Sequence, residues 1–358
     1  MRIQPVQLLR AVAAIVVLAG HAMGTAAAMG PFVRPTLPTG IGVDLFFAIS
    51  GFIMVYASDR LFARPGAARE FLARRIQRVA PLYWLATTLV LLMTLIGKGP
   101  GGIPSVTYLA SSYFFIPDAS YGSVDGIAFP LLSLGWTLNY EMLFYALFSL
   151  FLFLPRPSAV RWVQVTLMAA VLLGALLRPS SVVLATWTQP IILEFGLGML
   201  IGNAFLSGRR IGLPAAVVLL VVAGAWVALD PFGLMHLPQT PNDARRLIGW
   251  GLPAAMVLGA AVLRPWALPR RVDQLAGVLG DASYSLYLMH PFVLVAMRHA
   301  WLRFVGERGL PVFVVVTVCL AILMSIAVNR RVERPLIRSV GRMSTWARPR
   351  KLQPQPSA

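Results

Sequence analysis

Charge is scarce in this chain and cysteine is nearly absent. Only 12% of the 358 residues are charged against 58% hydrophobic, and the mean hydropathy is +0.74, which excludes an ordinary soluble domain. The lone cysteine, Cys319, lies inside an apolar run and cannot form an intramolecular disulfide. The four histidines, His21, His236, His290 and His299, show no metal-ligand spacing and the acids do not cluster, so no metal is expected. Internal repeats and Gly/Ser linkers are missing too, which leaves one membrane domain over residues 1–335. Residues 336–358 form a basic, Pro-containing tail with little apolar content, predicted to be disordered.

What is abundant is apolar sequence in long runs. Ten stretches, at 6–24, 41–58, 79–97, 131–154, 162–177, 184–206, 212–229, 247–264, 280–304 and 310–330, read as candidate membrane helices. The expected fold is therefore an all-α polytopic integral membrane protein with about ten transmembrane helices. The net charge of +18 would suggest nucleic acid in a soluble protein, but the basic residues sort by side. With a cytoplasmic N-terminus, 22 Lys and Arg, from Arg2 through the cluster Arg60–Arg78 to Lys351, fall on the cytoplasmic face. Eight fall opposite: Arg34, Lys98, Arg178, Arg245, Arg246, Arg298, Arg303 and Arg308. That asymmetry predicts both termini inside and no nucleic-acid partner. Residues 2–28 also have the look of a secretory signal, yet cleavage there would displace the charge bias by one crossing, so retention is expected.

Against this apolar background, ionisable residues within the runs stand out, because charge at membrane depth is costly and functional by default. Arg10 and His21 are eleven positions apart, close to three helical turns, so they share one face at about 16 Å separation. Asp44, in GVDLFFAISGF, and Glu141, in LGWTLNYEMLFY with Asn139 nearby, are buried carboxylates that need an Arg, a His or a ligand. Each fits an ion pair that fixes packing or a site residue. Ser283, Tyr287 and His290 in GDASYSLYLMHPF recur at i, i+4 and i+7 on one face, and Pro291 frees a backbone carbonyl beside them. Arg75 and Arg78, at i and i+3 before the third run, can grip a phosphate, or serve topology or anionic lipid instead. The segment 98–130, with aromatic Tyr108, Tyr113, Phe114 and Phe115, reads as an interfacial anchor or a lid.

Taken in order, Arg10 with His21, GVDLFFAISGFIM at 42–54, RRIQRVAPLYW at 74–84, LGWTLNYEMLFY at 134–145, GDASYSLYLMHP at 280–291 and VERP at 332–335 resemble the acyltransferase 3 family. Within it, the bacterial exopolysaccharide O-acetyltransferases look most similar. The resemblance implies a multi-pass enzyme of the bacterial inner membrane that transfers an acyl group, commonly acetyl from acetyl-CoA, to a sugar hydroxyl of a surface polysaccharide or its lipid-linked precursor. It places the family's Arg and His motif on Arg10 and His21, its Arg-x-x-Arg motif on Arg75 and Arg78, and its intramembrane acids on Asp44 and Glu141. On that reading Arg10, Arg75 and Arg78 bind the donor, and Asn139, Ser283, Tyr287 and His290 contact the acceptor. His21 acts as general base, its imidazole oriented by Asp44 or Glu141. The competing function is a glycan exporter whose permeation path these charges line.

Overall fold

The computed structural model describes residues 3–32, 35–97, 102–120, 123–124, 127–237 and 242–346. Arg2, Arg34, Lys98 and the end of the basic tail, 347–358, lie outside the described residues. The described residues are helical or irregular apart from one antiparallel pair of two-residue strands, β1 (Ser123–Val124) and β2 (Ile127–Ala128). In order the helices are α1 (Gln4–Ala27), α2 (Ile41–Ala57), α3 (Ala67–Leu95), α4 (Val106–Tyr113), α5 (Trp136–Leu150), α6 (Arg156–Leu177) and α7 (Val182–Trp187). There follow α8 (Leu193–Leu206), α9 (Leu213–Leu229), α10 (Ala244–Arg246), α11 (Leu252–Leu263), α12 (Arg270–Phe304), α13 (Leu310–Val328) and α14 (Arg334–Trp346). Two π-helical segments, Leu247–Gly251 and Asn329–Glu333, join α10 to α11 and α13 to α14. Proline opens α1, α6, α9, α11 and α13 in the first turn, where its missing N–H costs nothing.

The count of ten spans is not met. Among the described residues, five helical stretches are long and apolar enough to cross a membrane: α1, α3, α6, the run Ala244–Leu263 and the run Leu310–Gly341. Three more, Ile41–Ala57, Pro190–Leu206 and Leu213–Leu229, are apolar but shorter. Windows of apolar composition do not register where a helix breaks. The stretch 184–206 is interrupted between α7 and the turn at Pro190–Ile192, and 131–154 opens with a 3-10 turn before the 15-residue α5. The placement of both termini on the cytoplasmic side rests on the division of charge over ten crossings and loses that support with the count. Part of the tail expected to be disordered, up to Trp346, is helical in α14.

Position in the bundle follows from how each helix spends its apolar faces. α6 exposes Met168, Leu172, Leu173 and Leu176, as a lipid-facing helix does. α2 is buried on nearly every side and forms the centre. It meets α8 backbone to backbone: a Cβ on Gly198 would stand 1.9 Å from the Ala48 carbonyl oxygen, and one on Gly51 2.0 Å from that of Phe195, so only glycine fits. On its other flank Gly42 lies against α1, where a Cβ would come 2.6 Å from the Ala13 carbonyl oxygen. α1 and α12 run parallel, with Gln7 bonded to Asp281 near one end and His21 to His290 near the other.

Candidate active site

Of the cavities that border α1, one lies at the level of Arg10 and another at the level of His21. The first encloses about 180 Å³ and is lined by Arg10, Arg75 and Arg78 together with Glu141. The second, of about 610 Å³, is lined by His21, His290, Arg298, Arg246 and the indoles of Trp136 and Trp250. Among the described lining residues only Val43 of α2 and Tyr287 of α12 border both. The Tyr287 hydroxyl is tethered to Thr137 Oγ1 at 2.8 Å and to the Leu134 carbonyl at 3.1 Å. These two side chains are the wall between the cavities.

The first cavity gathers three guanidiniums around one carboxylate. Glu141 accepts from Ser50 Oγ at 3.1 Å and from the Tyr145 hydroxyl. Arg75 and Arg78 lie on one face of α3 as their spacing implies, but they are not equivalent. Arg78 is ion-paired with the buried Glu333, which Asn329 and Ser285 also hold, and its guanidinium covers the ring of Tyr284. Arg75 covers Phe71 and, among the described residues, its buried Nε has no hydrogen-bond partner. Arg75 therefore keeps a donor in reserve while Arg78 is held in place from behind. Ser283 also reaches this cavity, its hydroxyl donating to the Gly280 carbonyl at 2.8 Å.

In the second cavity His21 is exposed and His290 is buried, with His21 Nδ1 2.8 Å from His290 Nε2. The ring centroids are 5.1 Å apart and the planes differ by 15°. That separation is the nitrogen-to-nitrogen distance plus one ring radius at each end, so the rings meet edge to edge and the bond lies nearly in both planes. Pro291 follows directly and removes the donor that the Tyr287 carbonyl would otherwise receive within α12. Ile127 and Phe129, from the segment 98–130, border this cavity. Two aromatics of that segment dock instead on α3: Phe115 stacks on Tyr83, and the Tyr113 hydroxyl is 2.7 Å from Thr88 Oγ1.

Neither carboxylate expected to orient His21 does so through a described bond. Glu141 belongs to the arginine cavity. Asp44, fully buried, takes Arg246 Nε at 2.8 Å and Nη2 at 3.0 Å in a two-point pair. Arg246 also donates to Asn242 at 3.1 Å and lies between the faces of Trp136 and Trp250. A desolvated carboxylate is satisfied best by a full opposite charge, and Arg246 supplies one. Asn139 is buried and borders neither cavity. Sequence reasoning missed Arg246, counted as a loop charge, and Glu194, a fully buried acid beside Asp44 and Arg246. The rule that singled out Asp44 would have found Glu194 within its apolar run. Glu333 had only the motif VERP to mark it.

A family model described as an acyltransferase domain matches residues 5–330. The chain is 38% identical over 297 residues to the exopolysaccharide production protein ExoZ of Rhizobium meliloti (strain 1021), a match that covers 83% of this chain and 89% of the relative. No solved structure matches. With the family model spanning both cavities and all the ionisable residues that line them, the chain belongs to the acyltransferase 3 family and carries a membrane acyltransferase domain.

Proposed function

We propose that this protein is an O-acyltransferase that moves an acetyl group from acetyl-CoA to a sugar hydroxyl of a bacterial surface polysaccharide, either finished or still on its lipid-linked precursor. The observation that carries this reading is the pair of cavities sharing one wall, guanidiniums on one side and an imidazole on the other. A cavity of about 180 Å³ is below the size of an ordinary cofactor pocket and admits a slender arm but no nucleotide. The phosphates of the donor would stay at its mouth on Arg75 and Arg78, where planar guanidinium forks suit them. The pantetheine arm would run past Arg10, and the thioester would pass Val43 and Tyr287 to reach His21, about 16 Å along α1 from Arg10. The larger cavity, with its two indoles, has room for a sugar.

In this scheme His21 takes the proton of the acceptor hydroxyl as its oxygen attacks the thioester carbonyl. Collapse of the tetrahedral adduct breaks the carbon–sulfur bond, the thiolate of CoA takes the proton back, and the acetyl ester of the sugar remains. The size of the first cavity also argues against a glycan exporter, which needs a path wide enough for its cargo. Both readings are separated by His21→Ala in the native host, followed by mass spectrometry of the surface polysaccharide. The enzyme reading expects polysaccharide that reaches the surface with acetyl transfer lowered about 10²–10⁴-fold. Normal acetyl content in a strain with normal amounts of the variant would remove His21 from the chemistry. Loss of the polysaccharide itself would favour export.

A further inference from the structure

We infer that His290 is a positioning residue for the transfer: it holds His21 in the tautomer whose basic lone pair lies on Nε2, with the helix backbone of α12 as the third member of the relay. The inference rests on the reading of His21 as general base. Its starting point is an atom that can only accept. His290 Nδ1 lies 2.9 Å from the carbonyl oxygen of Leu286, one turn back on the same helix, and a carbonyl never donates, so Nδ1 of His290 carries the proton. The backbone of Tyr287, its carbonyl left without an amide partner by Pro291, contacts the same ring. In the neutral ring the lone pair then falls on Nε2. That atom faces His21 Nδ1 at 2.8 Å, so His21 must donate there, and its own lone pair sits on Nε2, the far edge of the ring. The edge-to-edge geometry, with planes 15° apart, aims donor and acceptor along the line between them.

This arrangement does with backbone and imidazole what a carboxylate does in a serine-hydrolase triad. The difference is charge. A buried neutral His290 orients its partner without adding an anion to a cavity that already borders on the Asp44 and Arg246 pair. It also ties the base to α12, the helix that contributes Tyr287 to the wall, so the residue at the passage and the orienter of the base move as one turn of helix.

The test uses the full-length protein in membranes of its host, with radiolabelled acetyl-CoA as donor and the strain's own surface polysaccharide as acceptor. His290→Leu, which keeps bulk but removes the acceptor, should lower kcat about 10- to 100-fold with the KM for acetyl-CoA unchanged. His290→Gln, whose amide oxygen can accept from His21 Nδ1, should recover most of that loss. His290→Asn, too short to reach, should not. In a His21→Ala background the Leu substitution should cost nothing further, because a residue acting only through His21 has no effect once His21 is gone. Additive losses in that double variant would mean that His290 acts elsewhere, and full activity of His290→Leu beside an inactive His21→Ala would overturn the inference while leaving the catalytic reading intact. Activity retained by His21→Ala itself would overturn that reading. Should the Leu variant fail to accumulate, the Gln and Asn pair decides alone, and equal activity in the two would refute the relay.

Discussion

Asp44 offers the clearest separation of stability from chemistry. Its carboxylate makes two charge-assisted bonds to Arg246 in a site where the two side chains are 0% and 4% exposed. Removing one partner of such a pair leaves the other charge desolvated, at a cost of about 3–5 kcal/mol. Asp44→Ala belongs toward the lower end of that range, since Glu194 lies next to the same guanidinium and Asn242 still accepts from it. Asp44→Asn keeps the shape and a hydrogen-bonding oxygen while losing the charge, and should cost less, about 1–3 kcal/mol. The double variant Asp44→Leu with Arg246→Met should lose less than the sum of the two single changes, as neither charge is then stranded. Heat-induced loss of the monodisperse peak on gel filtration, measured on detergent-solubilised protein, ranks the wild type, the two Asp44 variants, the double variant and its two component single variants. Acetyl transfer per inserted molecule is measured alongside and should change far less than stability. A stable Asp44→Ala protein with abolished turnover would refute this account and return Asp44 to the catalytic machinery.

Arg75→Ala and Arg78→Ala should each weaken acetyl-CoA binding by about 10- to 150-fold, the loss of a charge-assisted contact; only Arg78→Ala should also lower thermal stability, because it strands buried Glu333. Unchanged affinity in both would assign these arginines to lipid or topology. Val43→Phe, which thickens the wall between the cavities, should reduce acetyl transfer at least about tenfold without weakening acetyl-CoA binding, and Val43→Ala should raise the use of propionyl-CoA relative to acetyl-CoA by a factor within the one-methylene range of about 10–200. Equal acyl selectivity in wild type and Val43→Ala would show that the acyl group does not pass there. Gly198→Leu should abolish accumulation of folded protein, since its first side-chain carbon would overlap the Ala48 carbonyl; normal yield after detergent extraction would disprove the close approach of α2 and α8.

Local sequence carried some of this and tertiary contact the rest. The eleven-residue spacing that puts Arg10 and His21 on one helical face is a property of α1 alone, and in the structure each residue lines a cavity. The partners of these residues are another matter. His290 is 269 positions from His21, and Arg246 is 202 from Asp44, distances at which no periodicity speaks. Arg246 looked like a loop charge because it precedes the apolar run 247–264, yet it ends α10 and passes directly into a π-helical segment. Glu333 closes the second π-helical segment and reaches Arg78 in the same way. Eight of the ten apolar runs correspond to the five long apolar stretches and three shorter helices, while 131–154 and 280–304 fall on the 15-residue α5 and the 35-residue α12, whose polar residues take them out of that set.

The wall between the cavities is mechanically lopsided. On the α2 side the backbone around Val43 is wedged, with Gly42 against α1 and Gly51 against α8 at distances that leave no slack. That jaw cannot retreat. On the α12 side Tyr287 is held at its tip by two neutral hydrogen bonds, to Thr137 and to the Leu134 carbonyl. At about 0.5–1.5 kcal/mol net for each bond, letting go costs roughly 1–3 kcal/mol, so thermal motion alone releases the ring for between about a sixth and one part in about 160 of the time. The passage behaves as a spring-loaded door hung on a fixed frame. On the proposed donor route, an arriving acyl arm need supply no more than a push of that size, and once it withdraws the door would swing shut.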